Sequence, residues 1–469
     1  MTKSICRFVL SPVLLLPVLI GSNAGAATIT VNTLRDTLQS DLRCSLREAI
    51  ANAKGDERTF PECAKGAGSD TIRFLLDGTI VLNEGLGALE IFDSKGLTID
   101  GRGRKITISG NDKIGVISVS GDTKLALEYL TVVHAKSEDG AIRNGGMLTV
   151  RYCTLSQNTN EDLFGGAISN SSGYAMIIGS TLSGNHAKSG GGVYSSGGEI
   201  ALINSTFSDN TAEDGFGGAI FSWNGKVDIF NSTIYGNSAE AGGGLYNYTS
   251  SHARIFNSIL ANDAGGDCYN ADGSVVYLGG VNLIEDGSCE AASPNLTGDP
   301  KLRPLANNGG PTQTFALLEG SPAIDAGDDE VCAKEYGANN LDQRGIPRPQ
   351  GTHCDIGAVE AVQSSEGLAS SIVGFFDKSV ADGSLKGIGS AIVAEFALKE
   401  FRRELVSDEA YIRANAKARA CSGLDKTFRE IHFGGPMDFT ILQLVTGKNA
   451  GVLAAQIQVL IEKFGCPKR

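Results

Sequence analysis

At 469 residues the chain is long enough to bury a large core, and 61 glycines with only 20 % charged residues suit a turn-dense β fold. A formal charge of −13 makes it a poor candidate for binding nucleic acid or anionic lipid. Scattered histidines and the lack of any C-x-x-C pair argue against a zinc site.

In chain order, Lys3 and Arg7 precede an apolar run from Phe8 to Ile20, and Ala24-Gly25-Ala26 follows. This is the layout of a secretory signal peptide over residues 1–26, too short and too interrupted by proline for a membrane span. Export makes disulfides the default for the cysteines beyond it. Eight fall into sequence-local couples: Cys44/Cys63, Cys268/Cys289, Cys332/Cys354 and Cys421/Cys466. Neighbour pairing is only one of many connectivities these eight allow. Cys153 stands apart, in a column otherwise filled by serine.

Residues 27–110 are expected to form an N-terminal cap and the first rungs of a stacked fold. Thr28–Asn32 reads as a strand. Ser45 and Glu48 have the spacing of a capping box, and Leu46, Ala49, Ile50 and Ala53 make one apolar helical face before Gly55.

Residues 111–297 carry the repeats. The apolar column Ile142, Ile168, Val193, Ile220, Leu245 has gaps of 26, 25, 27 and 25 residues. A second register begins at Cys153, Ser180, Ser205, Ser232 and Ser258 and closes on Asn158, Asn185, Asn210, Asn237 and Asp263. Val150, Ile177, Leu202, Ile229 and Ile255 form a third column, within runs that alternate apolar and polar residues as half-buried strands do. Each unit is too small to bury its own apolar face, so the units must stack. The fold class is mainly β: a parallel β-helix of the pectin-lyase-like kind, right-handed as parallel crossovers are. The Asn column reads as a ladder of stacked amides that satisfies turn backbone.

Two features of the coil carry candidate function. Glu161, Lys188, Glu213 and Glu240 recur three residues past each Asn and form a charged rim. The plain reading is a solvated turn; the sharper one is a carboxylate pair or a calcium site. Beside the inward column lies an outward one, Ser169, Tyr194, Phe221 and Tyr246, with Trp223 and Tyr248 close by. Aromatics on a flat strand face suit stacking on sugar rings or protein binding, and stacking inside a loop-covered groove is equally open. His186 has no carboxylate at suggestive sequence spacing and reads as a loop histidine. Asp328-Asp329 has no evident partner. Asp325, Asp342, Arg344, Arg348 and Asp355 read as a structural network in residues 298–362, a loop-rich cap over the back of the coil. Residues 363–469 read as a helical module: Ile388, Ile392 and Phe396 mark one face, and Leu453, Ile457, Leu460, Ile461 and Phe464 another.

Several motifs resemble known families. Cys44-Ser45-Leu46-Arg47-Glu48-Ala49-Ile50 resembles the signature of the CSLREA-type N-terminal domain of bacterial surface proteins. Gly217-Gly218-Ala219-Ile220 and Phe207-Ser208-Asp209-Asn210 are similar to the repeat elements of polymorphic outer membrane proteins. Asn307-Asn308-Gly309-Gly310-Pro311-Thr312, Ser321-Pro322-Ala323-Ile324-Asp325-Ala326-Gly327 and Cys354-Asp355-Ile356-Gly357-Ala358 resemble the choice-of-anchor domain. The segment from Phe375 to Cys466 looks like FIMAH-type helical modules. The resemblance implies a bacterial, exported, secreted or periplasmic protein, with association to the outer membrane left open. It implies no reaction, and no series of alternating strands for an autotransporter barrel is present.

The expectation is therefore a non-catalytic surface for adhesion or for binding polysaccharide, matrix or a cell-surface ligand. No nucleic-acid partner, transmembrane span or cofactor is expected, calcium being the one ion the rim would suit. A polysaccharide lyase or glycoside hydrolase working in the coil groove is the alternative; a structural spacer is the third reading.

Overall fold

The computed structural model describes residues 26–361, apart from 272, 290–293, 334–338 and 352, together with scattered positions further on. The signal segment, Cys466 and nearly all of 363–469 lie outside the described residues. Among those scattered positions, Lys386–Gly387 and Val445–Thr446 pair as short antiparallel strands.

The repeats fold as a parallel β-solenoid. Strands stack into sheets of ten, nine and eight members, with a three-stranded sheet beside them. The eight-stranded sheet runs from Leu89–Ile91 to Cys268–Asn270. The column Ile142, Ile168, Val193, Ile220, Leu245 pairs in register down this sheet, every member fully buried. The ten-stranded sheet stacks Val150, Ile177, Leu202, Ile229 and Ile255 in the same way. Burying an aliphatic side chain of this size is worth about 1.5–3 kcal/mol. Such columns, continued coil after coil, hold the solenoid together.

The corners are closed by side chains. Asn158 Nδ2 donates to Asn185 Oδ1, Asn185 to Asn210, Asn210 to Asn237 and Asn237 to Asp263, each at 2.9 Å. The same acceptors take the backbone N–H of the preceding member, as Asn185 N–H to Asn210 Oδ1 at 3.2 Å. Each amide also donates to a strand carbonyl, as Asn210 to Leu182 O at 3.0 Å. The amide ladder read from the sequence is thus present and buried. A serine ladder serves the opposite corner: Ser180 Oγ accepts from Cys153 N–H at 3.1 Å, and Ser232 Oγ from Ser205 N–H at 3.1 Å. Just ahead of it, Asn204, Asn231 and Asn257 turn through φ of 47°, 46° and 45°, a left-handed corner that Asn tolerates. Cys153 occupies the serine position as a buried free thiol, and burial pushes its pKa up to about 12.

Helix α1 (Leu46–Gly55) has the full capping box of Ser45 and Glu48, and Asp56, not Gly55, takes the left-handed position after it. Its apolar face packs against Thr28–Val31, Asp70–Phe74 and Leu89–Ile91, while a Cys44–Cys63 bond ties its start. Arg47 anchors the helix through Asp36 at 2.8 Å. Cys268–Cys289 and Cys332–Cys354 are also paired, with Cα separations of 5.5 and 6.7 Å.

The described residues of 300–361 form a strap. They run back along the outward face of the nine-stranded sheet. The reason is a column of outward threonines and small apolar residues that needs partners. Thr181 Oγ1 donates to Gln313 O at 2.6 Å, Thr206 Oγ1 to Gln343 Oε1 at 2.6 Å, and Thr233 Oγ1 accepts from Ala358 N–H at 3.0 Å. Ala323 and Ile356 pack there on Ile259, Ala261 and Leu283. Within this strap Arg344 pairs with Asp342 at 2.6 Å and Arg348 with Glu360 at 3.1 Å, all four buried. Asp355 accepts from Asp325 N–H at 2.7 Å, so the expected structural network exists, with Glu360 as an additional member.

Asn210→Ala removes the acceptor for Asn185's amide and N–H and the donor to Leu182. Buried orphans cost about 1–3 kcal/mol each, so chemical unfolding should register a loss of at least about 3 kcal/mol. A loss under about 1 kcal/mol would show that the ladder contributes little. For Cys153, mass spectrometry of the native protein after a thiol reagent at mildly alkaline pH should find its peptide unlabelled, and labelled once unfolded. Rapid native labelling would contradict the buried placement.

Candidate functional site

The outward side of the eight-stranded sheet gathers the aromatics. Tyr194, Phe221, Tyr246 and Tyr269 pair in one column, Trp223 and Tyr248 in another two residues along. The sequence allows this first column to be either an open face or a loop-covered groove, and the structure has it covered. Tyr194, Phe221 and Tyr246 are only 7, 4 and 8 % exposed. Phe164 stacks on Tyr194 at 4.6 Å and Phe216 on Tyr246 at 4.6 Å, so two rings from the rim lie over the column. Burial raises the Tyr194 phenol's pKa. The accessible aromatic surface is instead Trp223, Tyr248 and Tyr269, 41, 36 and 46 % exposed, with Phe216 at their edge. Trp223 and Tyr248 meet edge to face at 5.8 Å, and Tyr269 stacks on Tyr246 at 4.9 Å.

Rim length explains the two covering rings. From the ladder Asn to the inward apolar residue there are ten positions in the coils of Asn158 and Asn210, and eight in those of Asn185 and Asn237. The longer rims supply Phe164 and Phe216, and a register shift between Asn160 and Phe164 accommodates the first. An aromatic just before Gly165-Gly166 and again before Gly217-Gly218 was the available signal.

The charged rim stands beside this strip. Thr159, His186 and Thr211 pair across successive coils. Glu161 bonds Lys136 at 2.9 Å, and Glu213 Oε2 meets His186 Nε2 at 2.9 Å. Lys188 and Glu240 are exposed. The four rim residues are thus not drawn into one cluster. His186 does have a carboxylate partner, contrary to the reading from sequence spacing, because Glu213 comes from the next coil. Asp329 likewise has a partner in His353 at 3.0 Å.

A second polar site was not singled out from the sequence. Asp263, Asp267, Glu285 and Asp286 line a cavity of about 350 Å³ at the end of the amide ladder. Burial pushes the Asp263 carboxyl well above the usual carboxylate range and Asp267 up to about 7. Asp263 occupying an Asn column was the visible clue.

Among the described residues, no helix is long and apolar enough to cross a membrane, and no three His, Cys, Asp or Glu side chains already stand as a metal-holding group. No known protein family matches this chain, and no curated protein does. The family resemblances therefore rest on the quoted motifs alone.

An exposed ion pair of the His186–Glu213 kind contributes about 0–1 kcal/mol. Glu213→Gln should accordingly leave the thermal midpoint nearly unchanged. A drop comparable with that of Asn210→Ala would make the pair a structural tie.

Proposed function

We propose that this chain is an exported bacterial envelope or extracellular protein, built on a right-handed coil, that binds polysaccharide or matrix glycans without turning them over. The exposed strip of Trp223, Tyr248 and Tyr269 carries the reading. Rings held at fixed spacing on a rigid sheet offer flat apolar faces to sugar rings at little cost in side-chain order. Disulfide-paired cysteines and the signal-like start support export. In this reading α1 closes the front of the coil, and residues 363–469 form a helical module that docks to wall, matrix or a partner.

One observation favours the alternative of a polysaccharide lyase or hydrolase: the His186–Glu213 pair lies on the rim beside the strip. A histidine oriented by a carboxylate is a general-base arrangement. Reducing-end release from a polysaccharide panel, with and without calcium, decides between the two. Turnover that survives repurification and disappears in His186→Ala would replace the binding reading.

Ring contacts are worth about 0.5–1.5 kcal/mol each. Replacing Trp223, Tyr248 and Tyr269 together by alanine should therefore weaken glycan binding at least about tenfold while the fold persists. Undiminished binding in affinity electrophoresis would sink the proposal. Alanine at the covered Tyr194 and Tyr246 should instead lower stability, by about 3–5 kcal/mol per ring.

A further inference from the structure

Asp263 holds the fifth position of a column whose other members are Asn158, Asn185, Asn210 and Asn237. Its Oδ1 does what the amides do, accepting Asn237 Nδ2 at 2.9 Å and Asn237 N–H at 2.6 Å. Its Oδ2 has no hydrogen-bond partner, in a residue only 7 % exposed. That oxygen lies against Gly244, where a Cβ would come within 2.6 Å of it. A carboxyl oxygen sealed from water, with neither donor nor cation to meet it, is far costlier charged than neutral.

The groups around Asp263 are acidic or neutral. On its own segment Asp267 accepts Asp263 N–H at 3.2 Å, and on the next coil Glu285 and Asp286 line the adjoining cavity. No lysine, arginine or histidine is among the lining residues. From the coil before, Asn237 is neutral, and Tyr235 faces Glu285 and Asp263, its phenol raised by burial and by these charges. Asp286 is the anion of the group. Burial pushes its carboxyl up, but its bonds with Ser288 and Asp267 outweigh that and hold it below the usual range. Burial pushes Asp263 well above that range and Asp267 up to about 7, each against the hydrogen bonds it accepts.

We infer that the end of the amide ladder is a proton-held latch: Asp263 closes the last coil while its carboxyl is neutral and releases it as the medium turns alkaline. Loss of the proton leaves a charge on a sealed oxygen, repelled by Asp267 and Asp286. Turning outward to water relieves that charge, breaks both bonds to Asn237 and frees the segment from Asp263 to Cys268. The Cys268–Cys289 bond then limits how far the segment moves. Asp263 and Asp267 bind protons more tightly in the folded chain than in the unfolded one. Their contribution to stability is therefore complete below the ordinary carboxylate range, about pH 4, and is lost as the pH rises through about 7. The latch is independent of the glycan reading, since it uses none of the exposed aromatics.

The test compares denaturant unfolding of the full mature chain at mildly acidic and mildly alkaline pH. Asp263→Asn places the ladder's own residue at the fifth position and carries no charge. The alkaline rise in the unfolding constant should be at least about tenfold larger in the native protein than in this variant. Asp263→Ser, which keeps an acceptor without a carboxyl, should lose the rise as well. Glu240→Gln, which removes an exposed carboxylate from the rim, should show it in full. Protection of Asn237 N–H against hydrogen exchange should fall with pH in the native protein and hold in Asp263→Asn. A flat native profile, a rise undiminished in both Asp263 variants, or a rise abolished by high salt would each overturn the latch. Salt screens repulsion between surface charges and reaches a buried one little.

Discussion

The solenoid depends on how its corners satisfy buried backbone. Parallel strands pair with the coils above and below, but at each corner the chain leaves the ladder while still inside the protein. A buried N–H or carbonyl left alone there costs more than a hydrogen bond returns. The Asn column meets this demand with one side chain per coil. Each amide joins its neighbour, takes a backbone N–H and gives to a strand carbonyl, as Asn210 does toward Asn237, Asn185 and Leu182. Because every member bonds to the next, the ladder also fixes the register of whole coils. Variation in repeat length must then be absorbed elsewhere, and it is absorbed in the rim.

That displacement of variability shapes the surface. The strands and the Ser and Asn corners recur with nearly constant spacing, while the rim alternates between long and short. The long rims lay Phe164 and Phe216 over Tyr194 and Tyr246, converting an outward column into a small second core with Phe221. The next column, Trp223 and Tyr248, lies farther from the rim and stays accessible. Exposure on this sheet is thus decided by a two-residue difference in a turn, not by the strands themselves.

The same logic separates what was legible in the sequence from what was not. Stacking repeats a local pattern, so the apolar columns and the amide ladder could be read directly, as could the capping box of Ser45 and Glu48; of the many cysteine connectivities left open, three neighbour couples are the ones that form. A second ladder, in which Asn144 donates to Asn170 and Asn247 to Asn270, was missed because serines interrupt its column at Ser195 and Ser222. Partners one coil apart look remote in sequence, which hid Glu213 from His186. The strap was illegible for a stronger reason. Gln343 reaches Thr181 and Thr206 across more than a hundred residues, and nothing in its own neighbourhood indicates which face of the coil it meets.

The end of the ladder poses a separate physical question. A carboxylate accepts and does not donate, so Asp263 can receive Asn237's amide and cannot pass the chain of bonds onward. Asp267 then supplies the acceptor for Asp263's own N–H, the part the next Asn would have played. Termination alone accounts for Oδ1 of both residues. An asparagine at Asp263 would also have offered that oxygen, without a buried charge. Termination leaves Asp263 Oδ2 unexplained, and it gives no reason for Glu285 and Asp286 to line the same cavity. Burial lessens the cost of that grouping: it pushes the Asp263 carboxyl well above the usual carboxylate range and Asp267 up to about 7, so the acids nearest the ladder's end favour their neutral form, which carries no charge to desolvate.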